Sequence, residues 1–307
     1  LKIYFVSDPG KIVRKDGGLA FVNAEGKVEY LANKYDVIIV ANSKVSVTSA
    51  AMRLLARYGV DLVVLEWNGA PVIRASVPVP NKTAETRLRQ YEAILEGKGL
   101  MYAKPIIIKK IIEQGRTLRQ IAKAKRVKWL RDQSYELEKY AQDVSNTKDP
   151  ESLRTVEAQA AKLYWGMFSN LFPDFPGREH EAKDPYNASL NYAYGMLYSV
   201  VNKALTVVGL DPYAGLFHTL KSGKASLVFD FSEQFKPLVD QAVFGKLKVN
   251  KITVEDGYLT YASRKLVAET VSSVLEKCDK VILSEAWNLA SSLRRRESYV
   301  PGWKRCT

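Results

Sequence analysis

Along the first quarter of the chain apolar residues come in short runs, alternating with polar ones or unbroken: KIYFVS, LAFVNA, KVEYLA, DVIIVAN, DLVVLEW and PVIRASV. DPG, KDGG, AEGK and NGAP lie between them and supply turn chemistry, so the pattern predicts strands. Within this region Ser46 to Tyr58 (SVTSAAMRLLARY) has helical periodicity, with Thr48 or Ser49 placed to cap it. The stretch VPVPNKT at 77–83 carries prolines at alternate positions, which favour extended backbone and forbid a continuing ladder. Beyond it the period becomes 3.6, with apolar residues at i, i+3 and i+4 over 84–96, 101–126 and 128–144. Later helices are predicted at 149–171, 187–209, 234–244, 263–277 and 281–295. The expected architecture is a two-domain α+β chain: a small β-rich amino-terminal domain over 1–78, a linker at 79–84, and a larger all-α domain over 85–307.

Composition narrows the classes. Apolar residues make up 47% and charged residues 26%, which suits packed cores and excludes wholesale disorder. No apolar run approaches the ~18 residues needed to cross a bilayer, and the opening LKIYFVSDPGKIVRKDGG breaks into charge and glycine too early for a signal peptide. Cys278 and Cys306 have no CxxC spacing and no Cys/His cluster around them, so free thiols and a cytoplasmic location are expected. The formal net charge of +13 makes nucleic acid the leading partner, although charge alone also serves solubility. Residues 1–78 hold ten Lys and Arg against seven Asp and Glu, so the attraction for a polyanion is expected to reside mainly in the helical part.

Three segments carry candidate chemistry. In GLFHTLKSGKASLVFDFSE, His218 sits in an apolar frame, and Asp230 and Glu233 are three apart, on one face if a helix starts near Asp230. A histidine with nearby carboxylates suits Mg²⁺ or Mn²⁺. Spacing alone favours a plainer arrangement, a core histidine with Asp230 as an N-cap and Glu233 closing a capping box. In RTVEAQAAKLYWGMF, Val156, Ala160, Leu163, Met167 and Phe168 form the apolar stripe and Glu157 lies at its margin, where it needs a partner. In REHEAKDPYNASLNYAYGMLYSVVNKAL, Asn187, Asn191, Tyr194, Tyr198 and Asn202 recur at helical spacing, amide and phenol groups suited to phosphate contact or base stacking. The same face would serve as a buried helix contact with satisfied hydroxyls.

Taken together the three segments resemble one family, the universal integrase and endonuclease of CRISPR adaptation, the first-numbered CRISPR-associated proteins. The family pattern of a Glu followed by small residues and an aromatic is met by EAQAAKLYW. Its Arg, DPxN element and Asn/Tyr-rich helix are met by Arg178, DPYN and LNYAYGMLY, and its His with a later G(K/R)xSLxxDxxE by His218 and GKASLVFDFSE. The resemblance runs over essentially the whole chain. It implies a divalent ion, Mg²⁺ or Mn²⁺, on Glu157, His218 and Glu233, with Asp230 as a further carboxylate needed for activity. It implies insertion of short DNA fragments into a repeat array by 3′-hydroxyl attack on a phosphodiester. It also implies partners: double-stranded and branched DNA, a homodimer formed through the amino-terminal domains, and a dimer of the second-numbered CRISPR-associated protein. Gln234 departs from the proline that many relatives carry after the last Glu. His180 matches no catalytic position and reads as a loop histidine.

The reaction explains the residue types. In-line attack builds negative charge on the non-bridging oxygens and the leaving 3′-oxygen, which a divalent ion can neutralise. Lys224 in the SGK turn and Arg178 are the candidates for phosphate contact. The competing expectation is a non-catalytic basic scaffold that binds DNA or RNA while the His and carboxylates knit its core.

Overall fold

A computed structural model describes residues 2–31, 34–76, 83–181, 183–217 and 223–306. The amino-terminal part contains β1 (Ile3–Val6), β2 (Gly10–Lys15), β3 (Gly18–Asn23), β4 (Val28–Tyr30), β5 (Val37–Val40), β6 (Val45–Val47), α1 (Ser49–Tyr58), β7 (Asp61–Leu65) and β8 (Pro71–Ala75). They form two four-stranded sheets, β1-β5-β7-β8 and β4-β3-β2-β6. Thr48 caps α1 by accepting the Ala51 N–H, and Gly59 closes it in the left-handed region.

The first sheet explains how the two parts are joined. Its central strand β5, VIIV, is buried at every position because both of its faces are covered. Ile38 and Val40 pack with Ile12, Leu19, Phe21, Leu54 and Leu55 in a small amino-terminal core. Val37 and Ile39 point the other way, with Val63 and Leu65, into the large helical core. A buried ion cluster reinforces the junction, where Asp61 takes Lys203 Nζ at 2.7 Å and Arg74 Nη1 at 3.3 Å.

The helical part runs α2 (Thr83–Leu95), α3 (Gly99–Lys125), α4 (Lys128–Gln133), α5 (Glu136–Asn146), α6 (Pro150–Leu171), α7 (Pro185–Val207), α8 (Ser226–Ser232), a 3₁₀ turn Glu233–Phe235, α9 (Lys236–Gly245) and α10 (Tyr261–Arg295). At its centre lies α7, buried on nearly all sides. None of these helices is long and apolar enough to cross a membrane.

Several expectations are corrected. The helix expected over 128–144 breaks into α4 and α5 at Ser134 and Tyr135. Those expected over 263–277 and 281–295 are one helix of 35 residues, because nothing in Cys278–Asp279–Lys280 breaks a helix. A two-stranded hairpin, β9 (Val254–Glu255) with β10 (Tyr258–Leu259), interrupts the region expected to be all-α. Cys278 and Cys306 form a disulfide in place of free thiols, and the described residues hold no free cysteine.

That disulfide anchors a carboxyl-terminal strap. Tyr299 and Trp303 are buried; Trp303 donates its indole N–H to Gln234 Oε1 at 2.9 Å, and Tyr299 donates to Glu285 Oε2 at 2.8 Å. Lys109 lies over the Trp303 ring, and Phe235 packs beside it. Arg305 reaches back to α3, donating to Glu113 Oε2 at 2.9 Å and Thr117 Oγ1 at 2.6 Å, and to Gln241 Oε1 on α9 at 2.7 Å.

Candidate active site

Helices α3 and α6 and the 3₁₀ turn after α8 bring three charged groups together. Lys110 Nζ lies 2.6 Å from Glu157 Oε1 and 2.7 Å from Glu233 Oε2, so the two carboxylates that sequence motifs paired converge on one cation. Lys236, a turn beyond Glu233, bonds its Oε1. Burial pushes the Glu233 carboxyl up, but the ammoniums of Lys110 and Lys236 outweigh it and hold that carboxyl well below the usual range. The same attraction overrides burial at Lys236, which is pushed up to about 12. Apart from its ionic contact with Lys110, Glu233 Oε2 has no hydrogen-bond partner among the described residues.

Glu157 sits at the margin of the α6 stripe as expected, its side chain 18% exposed. The helix is set by Asp149, whose carboxylate accepts the N–H groups of Glu151 and Ser152 in a capping box. Asp230 does not cap a helix. It lies buried inside α8, and its Oδ2 accepts the N–H groups of Leu216 at 2.7 Å and Phe217 at 2.9 Å. It thereby fixes the backbone leading into His218, which itself lies outside the described residues. Replacing Asp230 by alanine removes a charged acceptor worth about 2–3 kcal/mol, so hydrogen exchange at the Leu216 and Phe217 amides is expected to quicken roughly 30–150-fold.

The Asn/Tyr face on α7 turns out largely inward. Asn187 is fully buried, accepting from Arg178 and the Glu179 N–H and donating to Gly177 O and Asp184 Oδ2, so it ties the preceding loop to its helix. Asn191 accepts from Arg178 Nη2 at 2.7 Å and donates to His180 O. The Tyr194 hydroxyl, with that of Tyr164, donates to buried Asp240, whose carboxyl burial pushes up to about 6. These groups have partners inside the protein; Asn187 lies off the cleft, while Asn191 and Tyr194 also line it. Tyr198 is part-buried with its ring beside Lys236, and Asn202 lies off the cleft.

Arg178 holds the loop through Asn187 and Asn191, stacks over Tyr194 and also lines a cleft of about 980 Å³. Exposed Lys224 lines the cleft too, as do Glu233, Lys236 and Arg154, one turn before Glu157 on α6. Burial and the charges of Arg178 and Lys236 push the His180 ring down. Lys110, Arg154 and Lys236 were missed by sequence reasoning. Lys236 and Arg154 left a local signal, a three-residue spacing from Glu233 and Glu157, and Lys110 left none. If Lys224 meets backbone phosphate, Lys224→Ala is expected to lower the slope of log affinity against log salt by about one, whereas Arg178→Ala is expected to loosen the loop as well.

Among the described residues no three His, Cys, Asp or Glu side chains form a metal cluster. The donor chemistry nevertheless suits a hard divalent ion: two carboxylates meet at one point, where Lys110 supplies the positive charge, and Asp230 pins the backbone before His218.

Comparison with known proteins agrees with this geometry. The family model described as CRISPR associated protein Cas1 matches residues 4–278, stopping where the strap's disulfide begins. The CRISPR-associated endonuclease Cas1 of Hyperthermus butylicus is 35% identical over 98% of this chain and 98% of its own length. A Cas1 endonuclease of Pyrobaculum aerophilum is 32% identical over 96% of this chain and 98% of its own. Among solved structures, a casposase bound to its integration product has the same fold, with a TM-score of 0.85 at 21% identity over 99% of this chain and 95% of that one. A Cas1 protein of Thermotoga maritima gives 0.79 at 18% identity over 99% and 100% of the two chains. With its β-rich and helical parts, its convergent glutamates and a match over most of its length, the chain belongs to the Cas1 family of CRISPR adaptation.

Proposed function

We propose that this protein is a divalent-metal-dependent DNA endonuclease and integrase that inserts short DNA fragments into a CRISPR array. The observation that carries the reading is the convergence of Glu157 and Glu233 on Lys110 Nζ at 2.6 and 2.7 Å, with Glu233 also lining a basic cleft. Glu157, Glu233 and the imidazole of His218 would hold Mg²⁺ or Mn²⁺, and the bound ion supplies charge neutralisation at the scissile phosphate and the leaving 3′-oxygen. Asp230 positions the segment that carries His218. Lys224, Arg154 and Lys236 line the cleft where phosphate oxygens would lie, fixing the strand for in-line attack by a 3′-hydroxyl, or by water when the reaction is hydrolysis. Lys110 keeps both carboxylates ionised and facing each other.

Double-stranded and branched DNA are the proposed substrates, consistent with the casposase and with a solved Cas1–DNA complex of the same fold, TM-score 0.62. A solved Cas6-RT-Cas1–Cas2 complex, TM-score 0.79, supports Cas2 as partner, and the dimeric state of Cas2 and the homodimer of this chain are proposed on family grounds. A cytoplasmic location is proposed from the DNA target, and the disulfide is compatible with it in a hyperthermophile.

The test is a Mn²⁺ titration of the folded protein combined with strand transfer on branched DNA, with and without chelator. The expected result is saturable ion binding and transfer that chelator abolishes. DNA binding with no ion uptake and no joined product would instead establish the scaffold reading.

A further inference from the structure

The cleft that ends at Glu233 and Lys236 extends to a rim built from two distant turns. One is the β7–β8 turn bearing Trp67, and the other the β9–β10 turn, after which Tyr258 opens β10. The two rings are neighbours at the rim, and Trp67 is 40% and Tyr258 39% exposed. A half-exposed ring leaves part of its face open to a third planar group.

The turns are seated on α7 rather than standing free. A Cβ on Gly69, whose φ is +87°, would come within 2.5 Å of Tyr192 Cα, and one on Gly195 within 1.8 Å of Gly69 O. Only glycine permits that contact. Gly69 N–H also bonds Glu66 O at 2.9 Å. At the other turn, Gly257 packs against the stem of Lys183. Between rim and centre, Arg154, Lys183, Lys224 and Lys236 line the walls, while Glu233 is already paired.

Rigid, half-exposed aromatic rings at the mouth of a cationic groove have the composition of a single-strand site, where phosphates follow the charge and a base stacks on a ring. We propose that Trp67 and Tyr258 form a stacking site for an unpaired base of the strand whose phosphates pass along the cleft to Glu233. Bases inside a duplex have both faces covered by neighbours, so the site selects single-stranded ends. Stacking reads no base edge, so it is indifferent to sequence. The inference rests on the nuclease and integrase reading, but its test does not require chemistry.

The experiment measures affinity of the full-length protein in chelator for two probes: a blunt DNA duplex, and the same duplex with a 3′ thymidine overhang carrying 2-aminopurine. Stacking worth about 1–3 kcal/mol per base predicts that Trp67→Ala weakens overhang binding roughly 5–150-fold and leaves blunt binding within two-fold. Trp67→Phe, which keeps a ring, should retain most of the affinity, and 2-aminopurine quenching should fall in Trp67→Ala and Tyr258→Ala. Equal losses on both probes, or none on the overhang, would overturn the proposal. Failure of metal binding or strand transfer would overturn the enzymatic reading while leaving this affinity difference measurable.

Discussion

Glu233→Gln is expected to lower strand transfer by about 10³-fold or more, since the divalent ion that this carboxylate would help hold stabilises the developing negative charge by several kcal/mol. Glu157→Gln should do the same. Affinity for branched DNA should stay within a few-fold, because these groups act on the transition state more than on bound DNA. The two variants should differ in stability. Glu233 is 7% exposed and faces both Lys110 and Lys236, so its neutralisation leaves two buried ammoniums short of a partner, whereas Glu157 faces Lys110 alone. Removing one partner of a buried ion pair costs about 3–5 kcal/mol, so thermal melts should show a clear loss for Glu233→Gln and a smaller one for Glu157→Gln. Circular dichroism and a Mn²⁺ isotherm on each variant separate lost chemistry from lost fold. Retained transfer in either variant would remove that residue from the centre.

Trp303→Ala should produce the largest loss of stability of any single change in the strap. The side chain is 6% exposed, packs on Phe235, and donates its N–H to Gln234. Truncating such a residue costs about 3–5 kcal/mol, and the acceptor on Gln234 is left without its indole donor. Because Gln234 adjoins Glu233, strand transfer should fall with stability. Cys306→Ser opens a loop spanning 28 residues, worth about 3–4 kcal/mol in the chain-entropy model, and should lower the melting midpoint by a similar amount. A Trp303→Ala melt within a degree or two of the parent would show that the strap is only laid on the surface.

The elements were legible because their periods are clean. β5 reads as an unbroken VIIV run, and α6 shows both its cap at Asp149 and its stripe with Glu157 at the edge. The site was legible only through its motifs. Spacing alone pointed to Asp230 as a helix cap, whereas its actual partners are two backbone amides 14 and 13 positions earlier. Lys110 was invisible because it lies on α3, 47 positions from Glu157, and no local pattern links the two. The partners of Asn187 and Tyr194 were hidden for a different reason. A helical face rich in amides and phenols looks solvent-directed when read alone, but α7 is packed on several sides, and its polar groups are taken up by Arg178, Asp184 and Asp240. The disulfide joins positions with no framework of other cysteines around them, so only three-dimensional proximity reveals it.

The strap also sets an order of events during synthesis. Arg305 closes on Glu113, 192 positions earlier, and Trp303 supplies a donor to Gln234, 69 positions earlier. A chain emerging from the ribosome can therefore pair its strands and stack α3 against α5 and α6 well before the backing of Glu233 exists. Domains form from the amino terminus as they are made, so the support behind Glu233 is completed only after the helices it backs. A nascent chain, or one stopped short of Tyr299, carries the glutamates without the clasp that steadies them.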